Sequence, residues 1–390
     1  VGEYAYAHDQ ASNERMRFDP EHIHSLVIKI GTSLVSGTRA FEGKVMESLV
    51  REICHLKAQY DWNIVIVTSG AVGCGMKKLG LAERPQDLPI KQAVAAVGQA
   101  ELMHYYETLF AHYSEGRLVT AQILLTRNDL DSRQVYLNVR NTFETLFAMR
   151  RVVPIVNEND TTATEELRFG DNDTLSARIT SKLGADLLIL LTDVDGFFDR
   201  HPSHPEAKLI PYIESITPEI VQAAGGAGSI VGTGGMQTKL EAARIATVSG
   251  AAVVIANGHR NDILQGVLSG DAPCTLFAPR RRSLSQRRRW IAFGKQSQGI
   301  IRIDDGAKNA LLVRGKSLLP AGILDVVGDF PSGAAVTIVD AAGERIGHAL
   351  VNFSSEEIRA ILGKHSHDIE TILGRACHPE VVHRDNLVLL

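Results

Sequence analysis

The sequence contains no apolar run near the roughly 18 residues needed to cross a bilayer. Its first two dozen residues also lack the basic start and apolar segment of a secretory signal. Glu3, Asp9, Glu14, Arg15, Arg17, Asp19 and Glu21 break that stretch, so residues 1–24 are expected to form a loosely held extension. Cysteine is scarce. Cys54, Cys74, Cys274 and Cys377 are too widely spaced for a CxxC pair, which argues against a zinc ribbon or redox dithiol and for a cytoplasmic protein with reduced thiols. The pairs His22/His24 and His365/His367 have no Cys, Asp or His cluster at ligand spacing, so they read as surface residues and no metal site is expected. No Ser-His-Asp arrangement can be argued from position alone. Two nucleotide signatures are missing as well. Gly315-Lys316-Ser317 fails as a P-loop because Ala310 stands where the first glycine belongs, and no G-x-G-x-x-G follows the first strand.

What is present suits an enzyme with a sizeable core. The 390 residues suggest two or three domains, and 44% hydrophobic with 22% charged residues is ordinary globular composition. The net charge of −4 is uneven: residues 1–278 carry 25 Lys/Arg against 33 Asp/Glu, and residues 279–390 carry 16 against 12. Six of those 16 are the arginines at 280–282 and 287–289. The basic character therefore belongs to a short junction and not to the module behind it.

From Leu26 to about Asn257, short apolar runs alternate with amphipathic helical stretches. Runs at 26–30, 63–68, 152–156, 187–191 and 252–256 are apolar on both faces, as central strands of a covered parallel sheet are. Helices are expected near 44–60, 91–113, 137–149, 173–183 and 235–248. The alternation predicts a three-layer αβα sandwich with a mainly parallel sheet. Ligands of such sheets sit beyond the carboxyl ends of the strands, where these runs end in small, hydroxyl, amide or carboxylate residues. The polar clusters should thus converge on one rim.

Two features of that rim suit a triphosphate. Gly31-Thr32-Ser33 follows a first strand containing Lys29, and a lysine in an apolar strand is costly to bury without an anion. Gly232-Thr233-Gly234-Gly235-Met236-Gln237-Thr238-Lys239 leads into a helical pattern, where backbone N–H groups and the helix dipole favour phosphate. The plain alternatives are a surface loop and two lysines at the edge of the core.

Val27-Ile28-Lys29-Ile30-Gly31-Thr32-Ser33, Val67-Thr68-Ser69-Gly70-Ala71-Val72 and Leu191-Thr192-Asp193 resemble the amino-acid kinase family. Within it, Val156-Asn157-Glu158-Asn159-Asp160, Gly170-Asp171-Asn172-Asp173 and Gly234 to Lys239 resemble the branch that phosphorylates free glutamate. The resemblance implies attack of the glutamate γ-carboxylate on the γ-phosphorus of ATP, giving γ-glutamyl phosphate and ADP, the first step of proline biosynthesis. It also implies Mg²⁺ on the phosphates and proline as an inhibitor, and a homo-oligomer is expected. A carboxylate with a pKa near 4.3 is already ionised at neutral pH, so positioning and positive charge, not a general base, should carry catalysis.

By the same resemblance Lys29 and Lys239 are catalytic. The nucleotide side is Lys29, Thr192, Asp193, Thr233, Gly234, Gly235, Met236, Gln237, Thr238 and Lys239. Ser69, Asp160 and Asn172 hold glutamate, Asp160 suiting its ammonium group. Gly70, Ala71, Asn157, Asp171 and Asp173 are weaker candidates on the same rim, with turn formation or helix capping as the competing reading.

Behind the arginines, short strand candidates at 300–303, 336–339 and 348–351 are separated by glycines, with no long helix before about 355–363. Gly299 to Gly306, Leu318-Leu319-Pro320-Ala321-Gly322-Ile323 and Gly347-His348-Ala349 resemble a PUA domain, a small, mostly β module known in RNA-modifying enzymes. The expected domains are a 1–24 extension, a 25–278 kinase domain, a 279–296 Arg-rich linker, a 297–375 PUA domain and a 376–390 tail. Two other functions compete: a sister kinase acting on N-acetylglutamate, aspartate or UMP, and an RNA-binding protein whose arginines track phosphate. The absence of an aromatic stripe for base stacking speaks against the second.

Overall fold

The structure, a computed structural model, describes residues 6–8, 16–35, 43–131, 133–163, 172–224, 235–280, 297–364, 368–375 and 378–389. The chain divides into two compact units: Val1–Leu130 with Gln134–Ser283 form the first, and Leu284–Leu390 are the body of the second.

The first unit is built on eight strands: Ser25–Ile30 (β1), Asn63–Val67 (β2), Val119–Leu125 (β3), Val152–Glu158 (β4), Leu187–Thr192 (β5), Tyr212–Ile213 (β6), Ala252–Asn257 (β7) and Cys274–Phe277 (β8). They lie in the order β3-β4-β2-β1-β5-β7-β8-β6, and every neighbouring pair is parallel except β7 with β8. Parallel strands need crossovers, and helices supply them. Gly43–Gln59 (α1), Ala71–Leu79 (α2), Leu88–Tyr113 (α3) and Ile263–Ser269 (α6) cover one face, over Ile28, Ile30, Ile64, Ile66 and Ile189. Asn172–Leu183 (α4) and Met236–Val248 (α5) pack on the other. The expected three-layer sandwich is therefore present.

Alternation along β1 does something specific with Lys29. Ile28 and Ile30 point into the core beneath α1 and α3, so Lys29 points the opposite way, toward α4 and α5. Those are the two helices whose first turns carry Asp173, Thr238 and Lys239.

Several elements carried no sequence signal. β3 is a half-exposed edge strand, and β6 and β8 have only 2 and 4 residues. Helix α2 holds Gly73 and Gly75, poor helix formers. The extension also differs from expectation in its last third. Phe18 and Ile23 are buried in the core, and Trp62 Nε1 donates to the Pro20 carbonyl at 3.3 Å. Two apolar side chains in a polar stretch leave no periodicity to read. Before them, Tyr6–His8 pairs antiparallel with Met16–Phe18.

The second unit holds a five-stranded sheet: Ile300–Ile303 (β9), Ile323–Val327 (β10), Ala335–Val339 (β11), Arg345–Leu350 (β12) and Leu387–Leu389 (β13), in the order β10-β9-β11-β12-β13. Helix Asp305–Leu312 follows β9, started by Asp304, whose Oδ1 accepts from Ala307 N at 2.6 Å. Residues 376–390 were expected to be a tail. Their described part instead completes the domain: β13 pairs with β12, and Val381 and Val382 are fully buried. A three-residue strand is too short to show in hydrophobic pattern, so only the pairing reveals it. Of the arginine run only Arg280 is described; the rest lies at 281–296, outside the described residues. No helix among the described residues is long and apolar enough to cross a membrane.

Candidate active site

Strand β1 brings Lys29 to the rim almost wholly buried, and α5 brings Lys239 there equally buried. Both reach the carboxylate of Asp173, in the first turn of α4. Lys29 Nζ lies 2.5 Å from Asp173 Oδ1, and Lys239 Nζ lies 3.2 Å from Oδ2. Thr238 Oγ1 donates to the same Oδ2 at 3.1 Å. The Asp173 side chain has no exposure at all. Its carboxylate does more than cap a helix, since it joins β1 and α5 to the head of α4. Two ammonium groups thus converge on one carboxylate at the rim where a sheet of this kind takes its ligand.

Two glycine-led turns lie beside it. Gly235 precedes α5 in extended conformation, its carbonyl 2.8 Å from Thr238 Oγ1 and sharing that one O–H with Asp173 Oδ2. Met236 and Gly235 are half-buried and Gln237 is exposed. Gly31 N donates to the Leu191 carbonyl at 3.2 Å, tying the turn after β1 to the end of β5. Thr192, buried at that end, donates to Asp193 Oδ1 at 3.0 Å, and Asp193 is exposed. Thr233, Gly234 and Asp171 lie outside the described residues.

On the other side of the lysines the amide of Asn172 organises the rim. The two hydrogens of its Nδ2 are shared among three acceptors, the Thr68 carbonyl at 2.6 Å, Ser69 Oγ at 2.9 Å and Asn157 Oδ1 at 3.0 Å. Ser69 therefore accepts from Asn172 and keeps its own O–H for another acceptor. Gly70 turns the chain into α2 with φ of 100°, a left-handed conformation in which an added Cβ would lie 2.7 Å from Val35 Cγ1. Ala71 is buried, so any part it plays is through its backbone. Asp160 is half-buried in the turn after β4. In that turn Asn159 does the local work, accepting from Thr161 Oγ1 at 2.6 Å.

Sequence reasoning missed two features. One is Asp195, whose carboxylate receives Arg260 in a fork at 2.8 and 2.7 Å; hydrogen bonding from Arg260 holds its pKa below the usual carboxylate range. Its place two residues beyond Asp193 was the available signal. The other is Gln99, in the middle of α3, which accepts from Asn157 Nδ2 at 2.8 Å. A glutamine within a helix carries no signal of its own. Cys54, Cys74 and Cys274 stand apart as buried free thiols, each pushed up to about 11 by burial; Cys377 lies outside the described residues.

The fold, an αβα sandwich on a mainly parallel sheet with two lysines gathered on one carboxylate at its rim, is that of a phosphotransferase family. The model of the amino acid kinase family matches residues 25–257 and that of the PUA domain residues 299–373. Glutamate 5-kinase of Caldanaerobacter subterraneus subsp. tengcongensis is 46% identical over 94% of this chain and 97% of its own length. That of Moorella thermoacetica is 49% identical over 94% and 96%. Among solved structures, carbamate kinase from Giardia lamblia bound to AMP-PNP is 14% identical, with a TM-score of 0.47 over 66% of this chain and 98% of that one. The chain belongs to the amino acid kinase family and, within it, to the glutamate 5-kinases.

Proposed function

We propose that the chain transfers phosphate through the pair Lys29 and Lys239, with Asp173 holding both in place. The overall reaction is ATP-dependent phosphorylation of the γ-carboxylate of L-glutamate, giving γ-glutamyl phosphate and ADP at the entry to proline biosynthesis. The observation that carries the site assignment is the shared carboxylate: it fixes two ammonium groups from opposite ends of the domain sequence on one point.

Joining a carboxylate to a phosphoryl group brings two anions together, and fixed positive charge offsets that repulsion without reorganising. In this reading Lys29 and Lys239 bracket the transferred group. The N-terminus of α5, at Gly235 and Met236, offers backbone N–H groups to the phosphates. Thr192 and Asp193 lie on the nucleotide side. Ser69, through its spare O–H, and Asn172 position glutamate, and Asp160 accepts from its ammonium group.

No group of three or more His, Cys, Asp or Glu among the described residues is placed to hold a metal ion, and Asp173 is already engaged by two lysines. The donors present therefore fit Mg²⁺ that arrives on the nucleotide, held mainly by phosphate oxygens and water. Its contribution when bound is to neutralise phosphate charge. Proline, carrying the same amino-acid head as glutamate, inhibits by competing at the Asp160 side of the rim. A cytoplasmic homo-oligomer completes the reading.

A coupled ADP-release assay across L-glutamate, N-acetylglutamate, aspartate and UMP tests it. Turnover with glutamate alone is expected. Preference for any of the other three would overturn the substrate assignment.

A further inference from the structure

We propose that Gln99 is a specificity-determining residue, its side-chain N–H donating to a carboxylate oxygen of bound glutamate. The proposal rests on the reading of the rim given above.

Glu158 N can only donate, and it donates to Asn157 Oδ1 at 2.9 Å. That fixes which end of the Asn157 amide is oxygen. Its Nδ2 must then face Gln99, 2.8 Å away, and Gln99 must answer with Oε1. The other end of the chain agrees. The Thr68 carbonyl can only accept, so Asn172 presents Nδ2 to it at 2.6 Å, and Nδ2 also meets Asn157 Oδ1 at 3.0 Å. Two backbone groups thus set the direction of a relay running Asn172, Asn157, Gln99, with no freedom to flip an amide.

The relay leaves one donor over. Gln99 Nε2 is buried and has no hydrogen-bond partner among the described residues. Buried donors are satisfied in folded proteins, and one left open is unfavourable unless something else completes it. This one belongs to a side chain bonded to Asn157, itself bonded to Asn172, which touches Ser69. The missing partner is therefore an acceptor on the substrate side of the lysines. Glutamate brings two carboxylates there, and a carboxylate oxygen is the strongest acceptor the reaction offers.

Gln99→Glu isolates this function. It keeps an oxygen toward Asn157 and puts a second oxygen where the N–H was. In the ADP-release assay the KM for glutamate is expected to rise at least about 10-fold, the effect of losing one hydrogen bond to a charged group. The KM for ATP should stay unchanged. Calorimetric titration with glutamate should show the same loss of affinity. Gln99→Met, of matching length and without charge or hydrogen bonds, should raise the glutamate KM too, and it decides the matter if Gln99→Glu does not fold. A glutamate KM within twofold of wild type in the folded variant overturns the proposal. So does a joint rise in both KM values with falling kcat and melting temperature, which marks a merely structural role. Failure of the wild-type chain to release ADP with glutamate would instead sink the functional reading itself, so the two failures are distinguishable.

Discussion

Lys29 Nζ lies 2.5 Å from Asp173 Oδ1, with both side chains all but withdrawn from water. The pair explains how a lysine can occupy an otherwise apolar central strand. Its charge is met by a carboxylate at the head of a helix, where the helix dipole also favours an acidic residue. Lys239 meets the second oxygen of the same carboxylate, so the three groups behave as one unit.

Removing either lysine should therefore leave the fold standing and take the chemistry away. Lys29→Ala and Lys239→Ala each leave Asp173 with one ammonium partner. Turnover is expected to fall on the order of 10²–10³, as when one electrostatic contact to a transition state is lost. Circular dichroism and ADP release on the purified variants check this. A folded variant with near-normal kinetics would remove that lysine from the mechanism.

Asp173→Asn should behave differently, because it removes the negative charge that lies between two buried ammonium groups. Breaking a buried ion pair from one side typically costs about 3–5 kcal/mol. Urea unfolding should rank Asp173→Asn as clearly less stable than Lys29→Met, which leaves a paired charge behind. Equal midpoints for the two would show that Asp173 does not hold the lysines in place.

Gly98→Ala should couple stability to substrate binding. A Cβ on Gly98 would lie 1.8 Å from the Ala71 carbonyl oxygen, a backbone atom that cannot swing aside. The helices α2 and α3 must part, at a cost of about 1–3 kcal/mol or more. Because Gln99 follows Gly98 and Ser69 precedes α2, the KM for glutamate should rise while that for ATP moves little. An unaltered melting temperature would contradict this close approach.

Glu52 should make stability depend on pH from outside the site. Its Oε2 accepts from Leu264 N at 2.8 Å and Gln265 N at 3.0 Å, joining α1 to α6. Burial pushes its pKa up to about 7, from an ordinary 4.5. The folded form therefore holds the proton more tightly than the unfolded chain. The stabilisation is full below pH 4.5 and is lost as pH rises through 7, a change of roughly 2–3 kcal/mol. Melting curves between pH 5 and 8 should show this slope in wild type and not in Glu52→Gln, whose amide oxygen still serves both N–H groups. Parallel pH profiles for the two proteins would assign the slope elsewhere.

Much of this architecture was legible in the residues. Apolar runs such as Leu187 to Leu191 announce strands covered on both faces, and their polar ends mark the rim. Elements without periodic content were not legible: the edge strand β3, the glycine-bearing helix α2 and the three-residue β13. Hydrophobic pattern reports how one element is buried, and these are too short, too exposed or too rich in glycine to carry it.

The sequence by itself determined that a lysine stands in an apolar strand, that a second follows a glycine-rich turn, and that hydroxyl and amide residues end the strands. Those are local facts, and they suit an anion at one edge of a mainly parallel sheet. Only the tertiary structure decided that Lys29 and Lys239 meet on Asp173, and that Asn172, Asn157 and Gln99 form a directed relay. Such meetings depend on strand order and on which face each side chain takes. They are set by packing between elements far apart in the chain, as Gln99 and Asn157 are at 58 positions and Asp173 and Lys239 at 66, which no local pattern encodes.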